Sequence, residues 1–386
     1  MNEYYQSVCS ALDQADIATP RLIIDRARLD ANLDILLSRL PAEMAFRVVV
    51  KSLPSPELIS RIMRRASTNR LMTFNLPMLK HFSEHSPMAD QLLGKPLPAK
   101  ALSSYYSKVR PRNVQAHSNI QWLVDTPARL DQYLQIAEGN GTKLRINLEL
   151  DVGMHRGGFE PGDELNAVLE RLKASEFADL SGFMGYEPHI PLLPGDNLQA
   201  SERVSAQKIY KAALEAAETR FGFEAVKGMC RNAAGSPTFR LWEDTQIANE
   251  ISVGSALVKP TGFDTPLLSD FEPASFIASP VLKSTQGFRL PSQPVSARRE
   301  ATTVFMYGGN WMAEPVYPAG LEFSSEFGRS SNQDLLLGPA GMDVKPDDFV
   351  VLRPKQSEAV FLQFGSILVF DNGQIVDEWP VLPASA

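Results

Sequence analysis

The chain has 386 residues, of which 44% are hydrophobic and 22% charged, and its formal net charge at pH 7 is -7. A chain of this length buries a large core and suggests two domains. The negative charge, without any basic stripe, argues against a nucleic-acid partner. Cys9 and Cys230 lack metal-binding spacing and fit a reducing compartment. Because neither a signal-peptide pattern nor an apolar run of ~20 residues is present, we expect a soluble cytoplasmic protein without a membrane partner.

The first elements of the chain are predicted to be a short helix and a strand. Residues 1–18 have helical character and end at Thr19-Pro20, and the apolar run Arg21–Asp25 follows. Asp25 is placed to cap the next helix, in which leucines recur with helical period. We assign residues 1–25 to an N-terminal helix and strand, and we expect them to pack with a later β domain.

The next feature is a short apolar run that ends at one lysine, Phe46-Arg47-Val48-Val49-Val50-Lys51. A β-branched run of this kind is typical of a strand buried on both faces. Pro54 and Pro56 stop the strand, and Pro56 opens a helix. A lysine held against apolar walls at such a strand end loses hydration, which makes its amine a usable nucleophile for Schiff-base chemistry. The ordinary alternative is a lysine whose amine simply reaches solvent.

Strand-like and helix-like segments alternate from this run to about residue 261. The further strand-like runs are Arg70–Phe74, Gln91–Pro96, Ile120–Val124, Leu144–Asp151, Leu180–Tyr186, Val226–Asn232 and Glu250–Leu257. Eight strands over roughly 210 residues are what a (β/α)8 barrel requires. We therefore predict an α/β fold with a TIM-type barrel over residues 26–261. The rival, a doubly wound open sheet, lacks a G-x-G-x-x-G turn to support it.

From about residue 262 the pattern changes, because helical periodicity fades and prolines and glycines become frequent. The β-rich runs are Ala301–Tyr307, Phe349–Arg353, Gly365–Phe370 and Gln374–Val376. Asp371-Asn372-Gly373, between the last two runs, is a strong hairpin-turn signal. We interpret residues 262–386 as a separate C-terminal β domain.

The carboxyl ends of the predicted barrel strands carry the polar groups, and in such barrels the chemistry gathers at those ends. After Lys51 they are, in chain order, Asp151–Gly158, Gly185–His189, Ala234–Thr238 and Val253–Ser255. The last two are Gly/Ser turns that can aim backbone N–H groups at an anion. A phosphate site near a nucleophilic lysine suggests pyridoxal 5'-phosphate as the cofactor.

A set of short motifs runs in order through nearly the whole chain. They are T-P-x-L-x-I-D at Thr19–Asp25, V-V-K at Val49–Lys51, D-x-G-M-x-R-x-G at Asp151–Gly158, G-Y-E-x-H at Gly185–His189, G-S-P-T at Gly235–Thr238, V-G-S at Val253–Ser255 and Y-G-G at Tyr307–Gly309. The ordered set resembles the fold-type III pyridoxal-phosphate enzymes, the alanine racemase-like superfamily, and within it the D-threonine aldolase and D-serine dehydratase branch. The resemblance implies a barrel, a β domain and a homodimer in which each β domain helps to close the partner's site.

Carried over by position, Lys51 resembles the Schiff-base lysine, and Arg156 resembles the arginine near the cofactor's phenolic oxygen. Tyr186 resembles the tyrosine that lines the cofactor. The positions that resemble the phosphate cradle are Gly235, Ser236, Thr238, Gly254 and Ser255. Ordinary strand-to-helix turns are the alternative for the glycines, and a half-buried core aromatic is the alternative for Tyr186.

His155 and His189 are the candidate general bases, since imidazole titrates near neutral pH. Each is equally well explained as a hydrogen-bonded structural histidine.

Two positions depart from the pattern of that branch. Its members carry a P-x-H-x-C or similar pair that binds a divalent metal, whereas this chain has Gln356 and Glu358 at those places. These side chains make a poor zinc site and at best a weak site for a hard cation such as magnesium, so we assign no metal. Ser252 replaces the arginine that faces the pyridine nitrogen in alanine racemases, which alters how strongly the ring acts as an electron sink.

The sequence therefore predicts a pyridoxal-phosphate-dependent lyase, an aldolase or a dehydratase, that acts on a small D- or 3-hydroxy amino acid through Lys51. An amino-acid racemase of the same fold is the nearest alternative, with Lys51 and a tyrosine from the partner subunit as its two bases. A pyridoxal-phosphate-binding protein without turnover is the alternative from another class. The β domain argues against it, and the altered metal pair argues for it.

Overall fold

The computed structural model describes residues 2–108 and 115–383. The first residue of the predicted N-terminal segment and the last three residues of the predicted β domain lie outside the described part. The helices are α1 (Asn2–Gln14), α2 (Arg26–Arg39), α3 (Pro56–Arg65), α4 (Leu76–His85), α5 (Ala99–Lys108), α6 (Gln115–Ser118), α7 (Pro127–Asn140), α8 (Asp163–Ala174), α9 (Asp196–Phe221), α10 (Phe223–Lys227) and α11 (Ser357–Phe361). Within the described ranges, no helix has the length and apolar character needed to cross a bilayer.

The strands fall into two groups. The first group is β2 (Ala45–Val49), β3 (Arg70–Thr73), β4 (Asp90–Leu93), β5 (Ile120–Val124), β6 (Leu144–Leu150), β7 (Ala178–Gly185), β8 (Cys230–Ala233) and β9 (Glu250–Val253). The second group is β1 (Arg21–Asp25), β10 (Ser275–Phe288), β11 (Arg299–Tyr307), β12 (Ala313–Tyr317), β13 (Glu322–Phe323), β14 (Gln333–Gly338), β15 (Phe349–Pro354), β16 (Ser366–Asp371) and β17 (Gln374–Pro380).

The first group closes into a parallel barrel, in which each strand pairs with the next and β9 pairs with β2. These strands are almost entirely buried, as expected of a sheet covered on its outer face by helices. Helix starts are set by local signals: the Ser55 side chain accepts the Leu58 N–H at the start of α3, and Pro56 follows it. The predicted (β/α)8 barrel is confirmed.

Several strand boundaries differ from the sequence prediction; β9, for example, ends at Val253 rather than at Leu257. Val226 lies in α10 rather than in a strand, because Gly222 ends α9 and the run Phe223–Lys227 then forms one more short helix. Strand β8 begins at Cys230, which pairs with Gly182 of β7. Lys51 lies just beyond β2, in a single 3-10 turn over Val50–Ser52. The lysine is therefore held by a tight turn at the mouth of the barrel.

The second group forms a nine-stranded, mainly antiparallel sheet with the order β13-β14-β11-β10-β1-β16-β17, to which β12 and β15 are attached beside β10. The early strand β1 lies inside this sheet, antiparallel to β10 and parallel to β16. Strands β16 and β17 form the predicted hairpin, with Asn372 and Gly373 at φ 48° and 81°. The sequence did not predict β10, because Pro280 and Gly287 interrupt its pattern.

An ionic cluster fills part of the barrel interior. Arg47 of β2 is fully buried, and its Nε and Nη2 donate to the Glu250 carboxylate of β9 at 2.5 and 2.9 Å. Its Nη2 also donates to Asp90 at 2.7 Å. Against the opposing effect of burial, Arg47 and Arg145 hold the pKa of Asp90 near 2, and Arg47 and Arg70 hold the pKa of Glu250 below its usual range. The interior is thus charged but neutralised locally.

Candidate active site

A cavity opens at the carboxyl ends of the barrel strands. In barrels of this type the chemistry takes place at that face. Eight of the residues singled out from the sequence line it, namely Lys51, Arg156, Tyr186, Gly235, Ser236, Gly254, Ser255 and Glu358. The fold therefore brings together residues from five barrel loops and from α11, which precedes β16 of the second sheet.

Lys51 reaches the cavity with its amine near an aromatic ring and a carboxylate. Its Nζ lies 4.8 Å from the centroid of the Phe74 ring and 3.5 Å from Oε1 of Glu358. The lysine side chain is 43% exposed, so the fully dehydrated surroundings expected from the sequence are only partly present. Val49 and Met72 supply the rest of the apolar wall. The amine is thus accessible to a ligand and has a proton-accepting group beside it.

Two loops converge on the hydroxyl group of Ser236. Its Oγ accepts the backbone N–H groups of Gly254 at 3.3 Å and of Ala256 at 3.0 Å. A Cβ at Gly254 would lie 2.8 Å from the Ser52 Cβ and 2.9 Å from the Val49 carbonyl oxygen, so glycine is required by close approach of the backbone. These bonds join the two glycine-containing turns at the carboxyl ends of the neighbouring strands β8 and β9.

Thr238 stabilises the loop that carries Ser236. It is fully buried, and its Oγ1 accepts the Gly235 N–H at 3.2 Å. It is not among the described residues that line the cavity. Thr238 therefore closes the turn that presents Ser236, rather than facing a ligand.

Arg156 and Tyr186 form one side of the cavity. Nη2 of Arg156 donates to Oε1 of Glu149 at 3.0 Å, and its guanidinium lies 5.3 Å from the Tyr186 ring centroid. Burial, reinforced by the charge of Glu187, raises the pKa of Tyr186 to about 12, although Arg156 opposes this shift. Tyr186 is therefore a neutral phenol near pH 7, and Arg156 supplies the fixed positive charge of this wall.

Neither candidate histidine is among the described residues that line the cavity. His155 sits at a positive φ of 54°, its Nδ1 is 3.1 Å from Oδ2 of Asp151, and its side chain is 77% exposed. Nε2 of His189 lies 3.4 Å from the Glu202 carboxylate of α9. In both cases a nearby carboxylate holds the ring outside the cavity. This arrangement fits the alternative of a hydrogen-bonded structural histidine rather than a general base.

Asn232 and Ser252 also line the cavity, and Asn232 was missed by sequence reasoning. Nδ2 of Asn232 donates to Ser252 Oγ at 2.8 Å and to Glu250 Oε1 at 2.9 Å. Its Oδ1 is buried and has no hydrogen-bond partner within the described part of the chain. A free buried acceptor is costly, so it points to a donor supplied by a ligand. The sequence signal that could have identified Asn232 was its polar amide within a predicted buried strand.

The two residues weighed as metal ligands are separated. Gln356 is exposed and precedes α11, whereas Glu358 lines the cavity. Within the described residues, a group of acidic and histidine side chains close enough to share a metal consists of Asp151, His155 and Glu160, of which His155 and Glu160 are exposed. The Gln356 and Glu358 pair therefore does not present two ligands to the cavity.

The sequence over residues 24–261 matches the family model described as alanine racemase, N-terminal domain. The chain belongs to this family. No curated protein sequence matches the chain. The residues that match the alanine racemase N-terminal domain family form the barrel, and the second sheet lies largely beyond them.

Solved structures with the same architecture include three enzymes of different named activity. A D-threonine aldolase from Filomicrobium marinum has a TM-score of 0.77 and 16% identity, with 95% of each chain covered. A D-threo-3-hydroxyaspartate dehydratase from Delftia sp. HT23 has a TM-score of 0.73 and 15% identity, over 96% of this chain and 98% of that one. An alanine racemase from Bacillus anthracis has a TM-score of 0.71 and 16% identity, over 94% and 97%. At these identities the likeness shows a shared fold of barrel and β sheet.

The cavity of this alanine racemase family member thus combines three features. They are an accessible amine, two glycine-containing turns that meet at one hydroxyl, and a buried amide oxygen that has no partner among the residues the structure describes. Together these features fit a ligand that carries an electrophilic carbon, an anionic group and a hydrogen-bond donor.

Proposed function

We propose that this chain is a pyridoxal-phosphate-dependent lyase that acts on a small D- or 3-hydroxy amino acid. The observation that carries the proposal is that the Lys51 amine lines the same cavity as the turns at Gly235-Ser236 and Gly254-Ser255. A cofactor with an aldehyde and a phosphate needs both groups within one site. The named activities of the aldolase and the dehydratase with the same fold support a lyase.

The residues present fit this cofactor at each of its polar groups. Lys51 would hold it through the amine, and the backbone around Ser236 and Gly254 would hold its phosphate. Arg156 would stabilise a negative charge on the phenolic oxygen. The free Oδ1 of Asn232 would accept the N–H of a protonated ring nitrogen, in a part of the cavity where Ser252 stands instead of an arginine.

When bound, pyridoxal phosphate supplies an electron sink for a bond broken at the substrate's α-carbon. The remaining tasks belong to the protein. Lys51 would hold the cofactor through its amine and, once that amine is free, would carry protons to and from the α-carbon. Glu250 accepts from Asn232 and is itself neutralised by Arg47, so the amide is kept in one orientation. Tyr186 supplies a buried neutral wall beside the reacting atoms.

A screen of D- and L-3-hydroxy amino acids tests the proposal, with products assayed as aldehyde, keto acid or enantiomer. An aldehyde identifies an aldolase, and a keto acid identifies a dehydratase. An enantiomer would identify the racemase and would overturn the lyase assignment. A visible cofactor band that no amino acid shifts would instead identify a binding protein without turnover.

We also propose that the chain works as a homodimer, as its resemblance to fold-type III enzymes implies. Light scattering of the purified protein tests this proposal. A mass of one chain at micromolar concentration would contradict it.

A further inference from the structure

Glu358 is the carboxylate nearest to the Lys51 amine, at 3.5 Å, within the described part of the chain. It lies at the start of α11 and is half-buried in the cavity wall. Its Oε1 accepts the Ser52 hydroxyl at 3.2 Å, and its Oε2 accepts the Ser357 hydroxyl at 3.3 Å. Ser255 donates to Ser52 at 2.9 Å and so ties this group to the anion-binding turn. Two hydroxyls therefore hold the carboxylate in place independently of the lysine.

We propose that Glu358 is the general base that removes the β-hydroxyl proton, so that the enzyme cleaves the Cα–Cβ bond of a 3-hydroxy amino acid without a metal ion. This inference rests on the proposed lyase function. Glu358 stands at the position of a metal ligand in the resembling enzymes, and here it would transfer a proton instead. It also selects retro-aldol cleavage over dehydration.

The first argument is distance. In a 3-hydroxy amino acid the β-oxygen lies roughly 3 Å from the amine nitrogen, across two carbons. The substrate amine takes the place of the Lys51 amine during exchange, so its β-oxygen comes within about that distance of the Nζ position. Glu358 Oε1 is 3.5 Å from Nζ, so the two oxygens are within hydrogen-bond reach when they lie on the same side of the Nζ position. A base must be within hydrogen-bond reach of the proton it abstracts.

The second argument is charge. Glu358 forms an ion pair with Lys51, and an ionised carboxylate accepts a proton, whereas loss of a hydroxide from the substrate requires a proton donor or a metal. Gln356 is exposed, and the neighbouring Lys355 pairs with Glu314 at 2.6 Å. A cation at Glu358 would have to displace the lysine and would find no second ligand from Gln356.

The proposed step is balanced within the site. The β-hydroxyl proton moves to Glu358, and the O–H electron pair becomes the second bond of the aldehyde carbonyl. The Cα–Cβ electron pair remains on Cα, delocalised through the bound cofactor. The proton then returns from Glu358 to Cα by way of the Lys51 amine, and the amino acid that leaves is glycine.

Glu358→Gln tests the proposal, with Glu224→Gln on the exposed surface of α10 as the matched control. With D-threonine as the probe, we expect the Glu358 variant to lose roughly 100- to 10,000-fold in kcat for acetaldehyde release. We expect the control to keep the wild-type rate. The cofactor dissociation constant, measured by absorbance titration without substrate, should change by less than about threefold in both variants.

Two further measurements separate proton transfer from a structural role. Formate should restore part of the lost rate to Glu358→Ala in a concentration-dependent manner, because a small carboxylate can occupy the space of the missing one. EDTA should change the wild-type rate by less than about twofold, and Mn²⁺ titrated into the holoenzyme should give no binding heat that depends on Glu358.

The results also distinguish this inference from the proposed function. If the wild type cleaves D-threonine but Glu358→Gln keeps its rate, or EDTA abolishes it, the inference fails and the lyase assignment stands. A cofactor dissociation constant raised more than about tenfold in Glu358→Gln would also overturn the proton-transfer role. If the wild type turns over no 3-hydroxy amino acid, both fall.

Discussion

Gly254 lies where the loop after β9 packs against the turn that carries Lys51, so Gly254→Ala should disturb both. The added Cβ would lie 2.8 Å from the Ser52 Cβ and 2.9 Å from the Val49 Cβ. Carbon atoms in good contact are about 3.5–4.0 Å apart, so the backbone must shift by roughly half an ångström or more. Ser52 and Val49 are both buried, and rotation of their side chains would not move the two Cβ atoms. Overpacking of this kind typically costs about 1–3 kcal/mol of unfolding free energy.

The matched control is Gly139→Ala. Gly139 lies in α7, and a Cβ there meets no atom within 4 Å. Alanine favours a helix interior over glycine by about 0.5–1 kcal/mol, so this variant should be slightly more stable than the wild type.

Urea denaturation followed by circular dichroism measures the stability of both variants, and absorbance titration measures their cofactor affinity. We expect Gly254→Ala to bind pyridoxal phosphate about tenfold more weakly, because the Ser52 side of the Lys51 turn is displaced, whereas Gly139→Ala binds normally. If Gly254→Ala had the same unfolding free energy and the same cofactor affinity as the wild type, the proposed contact between the two loops would be refuted.

Four further variants test other parts of the structure. Lys51→Ala should lose the covalent cofactor band but keep its circular dichroism spectrum, and a borohydride-reducible adduct in this variant would contradict the assignment. Arg47→Met leaves the buried Glu250 carboxylate without its main partner and should cost about 3–5 kcal/mol in urea denaturation. Arg65→Met, which removes an exposed pair with Asp34, should cost less than about 1 kcal/mol, and equal losses would refute the argument from burial. Burial raises the pKa of Glu187 to about 7, so the folded state binds more protons than the unfolded state, and stability is lost as pH rises from about 4.5 towards 7. Glu187→Gln should therefore stabilise the protein by up to about 3 kcal/mol at pH 8 and by less at pH 5, and a gain independent of pH would exclude this linkage.

Much of the architecture was predictable because its signals are local. The apolar run before Lys51, the cap at Asp25 and the turn at Asn372-Gly373 each act over a few neighbouring residues. The alternation of such signals was enough to predict the barrel and the later β-rich region. Where local signals conflict, as at Pro280 and Gly287 in β10, the strand was not predicted.

The composition of the cavity depended on contacts between distant parts of the chain. Sequence position placed His155 and His189 at strand ends, but nearby carboxylates hold both rings outside the cavity. Ser52 and Glu358 are 306 positions apart, and their hydrogen bond exists because the second sheet brings α11 to the barrel mouth. Local residue patterns therefore determined the strands, the turns and the position of Lys51 at a strand end. Long-range packing decided which acid lies beside that lysine, since packing alone sets distances between segments remote in sequence.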